Sequence, residues 1–206
     1  MENTITRIIS YFLHPLFIPL YSLAFISLYP DLYPLVLPIM VKLWILAATL
    51  IFTLIIPVAG VLLVAKGFFS ENLELNKRAQ RHLPLALSIT SYIILIWLLR
   101  NTLVPPLFIY VLYSATIALA FALIINMFYK ISLHALGWSA LSVVIFRICL
   151  LNISVLPLLI ACIGITGLVG YARLKQNAHN IFQVMAGYMA GTGIIALFSF
   201  LLWFRA

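Results

Sequence analysis

"PLFIYVLYSATIALAFALIINMF", residues 106–128, contains no charged side chain. As a helix rising about 1.5 Å per residue, it is long enough to cross a hydrocarbon layer of about 30 Å. The sequence on either side has the same character. Apolar segments recur over 8–28, 42–65, 84–99, 106–128, 132–150, 153–171 and 180–204, most of them near the roughly 20 residues that a membrane span requires. Lipid offers no hydrogen bonds to a backbone, so each segment must satisfy its own N–H and C=O groups as a helix. The expected fold is all-α, a polytopic transmembrane helical bundle of six or seven spans. The lower count stays open because "LNISVLP", residues 151–157, is all that separates the fifth segment from the sixth.

Composition points the same way. The 206 residues are 66% hydrophobic and 8% charged, with a mean hydropathy of +1.21, far outside the range of soluble domains. The net charge of +8 reflects four acids against twelve bases. Those bases lie in short loops between apolar segments, which excludes a basic nucleic-acid-binding surface. Cys149 and Cys162 fall inside apolar segments, without the spacing of a disulfide framework or a metal site. No small-residue cleavage site follows the first apolar run, so it reads as a retained helix rather than a signal peptide. No repeat is evident, and residues 1–206 are expected to form a single integral-membrane domain.

If the seven segments alternate in direction, the third, fifth and seventh begin on one membrane face. At those three starts stand "NKRAQRHLP" (76–84), "YKISLHA" (129–135) and "ARLKQNAH" (172–179). The opposite face receives Trp44, Trp97 and Trp203, each beside Lys42, Arg100 or Arg205, the pattern of an interfacial aromatic belt. The clustered face also carries Arg7 and Lys66. A simple count of bases favours a cytoplasmic location for it, but the counts balance once bases held for chemistry are set aside, so the side stays open.

Each cluster lies at a helix N-terminus, where unpaired N–H groups and the macrodipole favour an anion. Arg78, Arg81, Lys130, Ser132 and Arg173 add donors suited to phosphate oxygens, and His134 and His179 complete the set. No Asp or Glu occurs after Glu74. That absence excludes a carboxylate-held two-metal centre and a Ser-His-Asp triad. Histidine chemistry remains, with one imidazole as nucleophile and another as general acid. The missing counter-charge is expected to arrive with a phosphate-bearing substrate, and no cofactor is expected.

These residues resemble the motifs of the type-2 phosphatidic acid phosphatase superfamily, which shares its site with vanadium haloperoxidases: K-x6-RP, PSGH and SR-x5-H-x3-D. "ARLKQNAHNIFQ" (172–183) is similar to the third, with Arg173, five residues, His179, three residues and Gln183. "ISLH" (131–134) keeps Ser132 and His134 of the second, with Ile131 and Leu133 in place of Pro and Gly. "KRAQRHLP" (77–84) offers Lys77, Arg78 and Arg81 for the first, without its spacing. The resemblance spans residues 77–191 and implies a metal-independent phosphatase acting on lipid phosphates or pyrophosphates, polyprenyl pyrophosphates included. It implies that His179 forms a phosphohistidine and that His134 protonates the leaving oxygen. Arg173, Ser132, Arg78, Arg81 and Lys130 would hold the phosphate.

Gln183 stands where the family has Asp. One helical turn separates 179 from 183, so Gln183 can accept a hydrogen bond from the imidazole and fix its tautomer, but it contributes no charge. The alternative reading is therefore a catalytically silent relative that binds or scaffolds anionic lipid headgroups. By analogy with compact bacterial members, the expected location is the bacterial inner membrane. His14, before Pro15, reads as a feature of a kinked helix, His82 as a loop residue, and Arg147 and Arg205 as snorkelling bases. Gly187 and Gly191 form G-x-x-x-G, a packing motif that either closes the bundle or joins two protomers as a homodimer. Gly164, Gly167 and Gly170 predict close packing of the sixth helix as well.

Overall fold

The computed structural model of the chain describes residues 2–28, 37–64 and 78–203. Lys66, Lys77 and Arg205 lie outside them, as do the side chains of Arg78 and Trp203. Among the described residues there is no strand. Seven helical stretches are long and apolar enough to cross a membrane: Thr4–Ser27, Ile39–Leu63, Ala79–Leu99, Pro106–Phe128, Leu133–Leu151, Ile153–Lys175 and Ile181–Phe200. The protein is thus an all-α polytopic bundle, and the weakest sequence boundary is a real one. Asn152 leaves helical geometry there and its Oδ1 accepts from the Ser154 N–H at 3.0 Å, opening a short 3₁₀ turn over Ile153–Val155 before the next helix.

The first stretch is broken. Helix α1 (Glu2–Phe12) ends before a 3₁₀ turn over Pro15–Phe17, and α2 (Ile18–Leu28) follows. Pro15 lacks the N–H that a continuous helix needs, and the ring of His14 caps the turn by accepting from the Leu16 N–H at 3.3 Å. The chain divides into two compact units. Met1–Ile18 and Lys130–Ala206 form the first, Pro19–Tyr129 the second.

In the second unit, α3 (Ile39–Leu50) runs through a π-helical turn (Ile51–Ile55) into α4 (Ile56–Val64). The widened turn falls just before Pro57, whose ring would strike the Thr53 carbonyl in a regular α-helix. A 3₁₀ turn over Arg78–Arg81 then opens α5 (His82–Leu99), which packs against α4 and against α6 (Pro106–Phe128). Leu95, Leu99, Phe108 and Leu112 are completely buried at the heart of this unit.

In the first unit α7 (Leu133–Leu151) is central, packed by α8 (Leu156–Lys175), by α9 (Ile181–Trp203) and by the Pro15–Phe17 turn, while α1 lies against α8. Glycine decides the α7–α9 contact. A Cβ on Gly187 would come within 2.6 Å of the Ser132 carbonyl, and one on Gly191 would collide with the Leu136 carbonyl and Ser139 Oγ. The G-x-x-x-G motif is therefore used inside the chain. Hydroxyls add cross-links suited to an apolar surrounding: Ser142 Oγ and Thr166 Oγ1 lie 3.1 Å apart, and the Tyr188 hydroxyl donates to the Thr166 carbonyl at 2.7 Å. Tyr188 fits only because position 170 is glycine, since a Cβ there would overlap its hydroxyl. Gly164 and Gly167 do not pack in this way. Among the described residues a Cβ at either would meet nothing within 4 Å, so the close packing of this helix seen there is at Gly170.

Large apolar side chains such as Tyr11, Phe182 and Met189 are exposed while Thr6, Ser10 and Ser132 are buried. In water that distribution would be costly. With lipid around the helices, the exposed apolar groups lose nothing and the buried polar groups find each other.

Candidate functional site

The turn between α8 and α9 carries His179, and both of its ends are pinned. Helix α8 stops in a Schellman arrangement: Ala178 N–H donates to the Arg173 carbonyl at 3.2 Å and Asn177 N–H to the Leu174 carbonyl at 3.0 Å. Asn177 sits between them at φ 53, the left-handed conformation this cap requires and one that Asn tolerates better than most residues. Three residues later Asn180 caps α9, its Oδ1 accepting from the Gln183 N–H at 2.9 Å. His179 lies between the two caps and is 7% exposed.

Gln183 occupies the third position of α9, from which a capping-box side chain would turn back to the cap residue. Here it reaches the imidazole instead, with Oε1 2.9 Å from His179 Nδ1. An amide oxygen only accepts, so Nδ1 carries the proton, and in the neutral ring Nε2 is the unprotonated nitrogen.

The cluster that begins α7 is bound to this turn. Ser132 N–H donates to the Gln183 carbonyl at 3.1 Å, and Lys130 Nζ donates to the Ala178 carbonyl at 3.4 Å. Ser132 caps α7, with its Oγ 3.4 Å from the Ala135 N–H. The predicted clusters at 129–135 and 172–179 therefore meet in one place, in one unit. Arg78 and Arg81 belong to the other unit, where they open α5.

His134 is buried, and its Nε2 lies 3.1 Å from the Ser10 carbonyl. A carbonyl only accepts, so Nε2–H is the donor and any proton passed to a bound group must leave from Nδ1. The His14 ring packs edge-on against His134 with centroids 4.9 Å apart. His14 thus does cap a helix break, as its sequence context predicts, and it also borders the site.

Arg173 lies in the last turn of α8, and its Nη1 donates to Gln176 Oε1 at 3.2 Å. The Gln176 amide nitrogen in turn donates to the Thr6 carbonyl at 2.6 Å and to Ser10 Oγ at 2.8 Å. Trp138 fastens the same N-terminal segment from α7, with Nε1 donating to the Leu13 carbonyl at 2.8 Å. Residues 6–14 are therefore a wall of the site, and nothing in the 77–191 motifs pointed to them. One signal was present: Thr6, Ser10 and His14 recur every four residues, the spacing of one helix face, beside apolar residues at 5, 8, 9, 11 and 12.

The only acidic side chain in this unit is Glu2, so the cations and imidazoles around His179 face no carboxylate from α7, α8 or α9. Among the described residues no three His, Cys, Asp or Glu side chains gather as metal ligands. The arrangement offers an oriented imidazole, a second imidazole with one nitrogen committed, an arginine, a lysine and a capped helix N-terminus. Chemically it suits a tetrahedral anion. No protein-family model, curated protein or solved structure matches this chain.

Proposed function

We propose that the protein is an integral-membrane phosphatase acting on lipid phosphates or pyrophosphates through a phosphohistidine on His179. The observation that carries this reading is the His179–Gln183 contact. It holds Nδ1–H in place and turns the Nε2 lone pair into a nucleophile inside a buried, acid-free, cationic turn. An unprotonated imidazole is unnecessary for merely holding phosphate, which Arg173, Lys130 and the α7 N-terminus could do alone.

In the first step Nε2 attacks phosphorus and the bond to the leaving oxygen breaks, as His134, entering as the imidazolium with a proton on each nitrogen, passes the one on Nδ1 to that oxygen and keeps the one that Ser10 holds on Nε2. In the second, water attacks phosphorus, returns a proton to His134, and phosphate leaves with His179 regenerated. Arg173, Lys130 and Ser132 are the proposed holders of the phosphate oxygens. Apolar side chains on α9 beside the site, Ile181, Phe182 and Met185, are exposed, which favours a substrate that keeps its tails in lipid. A bacterial inner membrane is the proposed location.

A second reading has its own support. His134 has one nitrogen tied to Ser10 and Gln183 is neutral, features that a silent lipid-headgroup-binding relative would tolerate. The deciding experiment is phosphate release by purified protein in detergent with chelator present, over a panel of lipid phosphates and pyrophosphates. Turnover by the native chain is expected, with an acid-labile phosphoenzyme trapped on rapid quenching. Binding of those lipids with no release would favour the silent relative.

A further inference from the structure

We propose that Gln176 is a positioning residue that makes the N-terminal helix α1 part of the catalytic apparatus; the inference rests on the phosphatase reading. Gln176 uses both ends of its amide. Oε1 accepts from Arg173 Nη1 at 3.2 Å, while Nε2 donates to the Thr6 carbonyl at 2.6 Å and to Ser10 Oγ at 2.8 Å. Its orientation is forced. Flipping the amide would set nitrogen against the guanidinium, a donor against a donor, and oxygen against the Thr6 carbonyl, an acceptor against an acceptor.

Ser10 receives from two directions. Its hydroxyl takes the Gln176 bond and its carbonyl takes the bond from His134 Nε2 at 3.1 Å. The path Arg173–Gln176–Ser10–His134 therefore joins the proposed phosphate ligand to the proposed acid through a helix more than 160 residues away in sequence (the Gln176–Ser10 separation is 166). Thr6 and Ser10 are buried against this path while Ile5, Ile8, Tyr11 and Phe12 on the same helix are exposed. Helix α1 thus turns its polar face toward the site and its apolar face outward. A segment serving only as an anchor needs no buried polar face aligned on Arg173 and His134.

Glutamate cannot replace this amide. It could accept from Arg173, but it has no proton for Thr6 or Ser10, and it would put a carboxylate into a site that has none. The full-length protein is assayed in detergent on the lipid phosphate it hydrolyses best, with kcat and KM determined separately. Gln176→Ala is expected to lower kcat about 10²-fold, the scale of a small misplacement of reacting groups. Gln176→Glu is expected to act chiefly on KM, because substrate phosphate must displace an internal carboxylate from Arg173. Ser10→Ala removes one hydroxyl and spares the carbonyl, so it should fold and lower kcat about fivefold, the scale of one lost hydrogen bond. Combined with Gln176→Ala it should add little further loss.

Native protein that releases no phosphate would overturn the phosphatase reading and this inference with it. An active native protein whose folded Gln176→Ala and Ser10→Ala variants keep kcat and KM within about twofold would overturn this inference alone. Should Gln176→Ala fail to fold, Ser10→Ala and Gln176→Glu decide by the same criteria: unchanged constants overturn it, and the kcat and KM effects described support it.

Discussion

Replacing His179 with alanine is expected to abolish phosphate release, a loss of roughly 10⁴-fold or more, as for removal of a nucleophile that works as part of a unit. The protein should stay folded. His179 lies in a turn whose two caps, Asn177 and Asn180, are independent of the imidazole. Gln183→Leu should be less severe. It keeps the nucleophile and removes the acceptor at 2.9 Å from Nδ1, freeing the ring to rotate and to place its proton on either nitrogen. A loss of about 10²-fold is expected from misorientation alone. Gln183→Glu preserves reach and adds a charge that stabilises the imidazolium-like phosphohistidine, so it should speed the phosphorylation step in single-turnover release. A series in which all three proteins release phosphate equally would place the chemistry elsewhere.

The reach of the sequence differs for fold and site. The spans were legible because lipid imposes one rule on every segment, and apolar length alone reveals it. The Pro15 break was legible too, since it arises from one residue's backbone chemistry. The boundary at Asn152 was not decided by "LNISVLP", because only Asn152 and Ser154 interrupt an otherwise apolar run. Within the site, Arg173, His179 and Gln183 lie on consecutive turns of one short stretch, so their spacing could be read directly. Ser132 and His134 needed only the alternation of helix directions. Gln176, Ser10 and Thr6 were not legible as partners. Gln176 looks like any polar residue at a helix end, and its partners are set by how α1 docks on α8. The glycines teach the same lesson. Gly164, Gly167 and Gly170 look equivalent in the sequence, yet among the described residues only Gly170 has a neighbour, Tyr188, whose hydroxyl would overlap a Cβ.

Gly191→Leu is the substitution expected to cost the fold most. A Cβ at this position strikes the Leu136 carbonyl and Ser139 Oγ, and backbone in the middle of a helix cannot move aside as the end of a long side chain can. Helix α9 must lift from α7, at a cost of about 3 kcal/mol for overpacking, which for a chain of this size lowers Tm by roughly 6–12 °C. Gly164→Ala is the control: no described residue lies within 4 Å of its Cβ, so the higher helix propensity of alanine should leave stability unchanged or raise it by up to about 1 kcal/mol. Thermal unfolding of both variants in one detergent checks the contrast, and equal melting temperatures would mean that α9 does not seat on α7 through this glycine. Activity should fall with the seat. The same interface holds Ser132 N–H against the Gln183 carbonyl at 3.1 Å, and Gly187, one turn closer to the site, leaves room for the Ser132 carbonyl. Gly187→Ala should therefore reduce phosphate release more than its own loss of stability explains, because it pushes the cap of α7 away from the helix that carries Gln183.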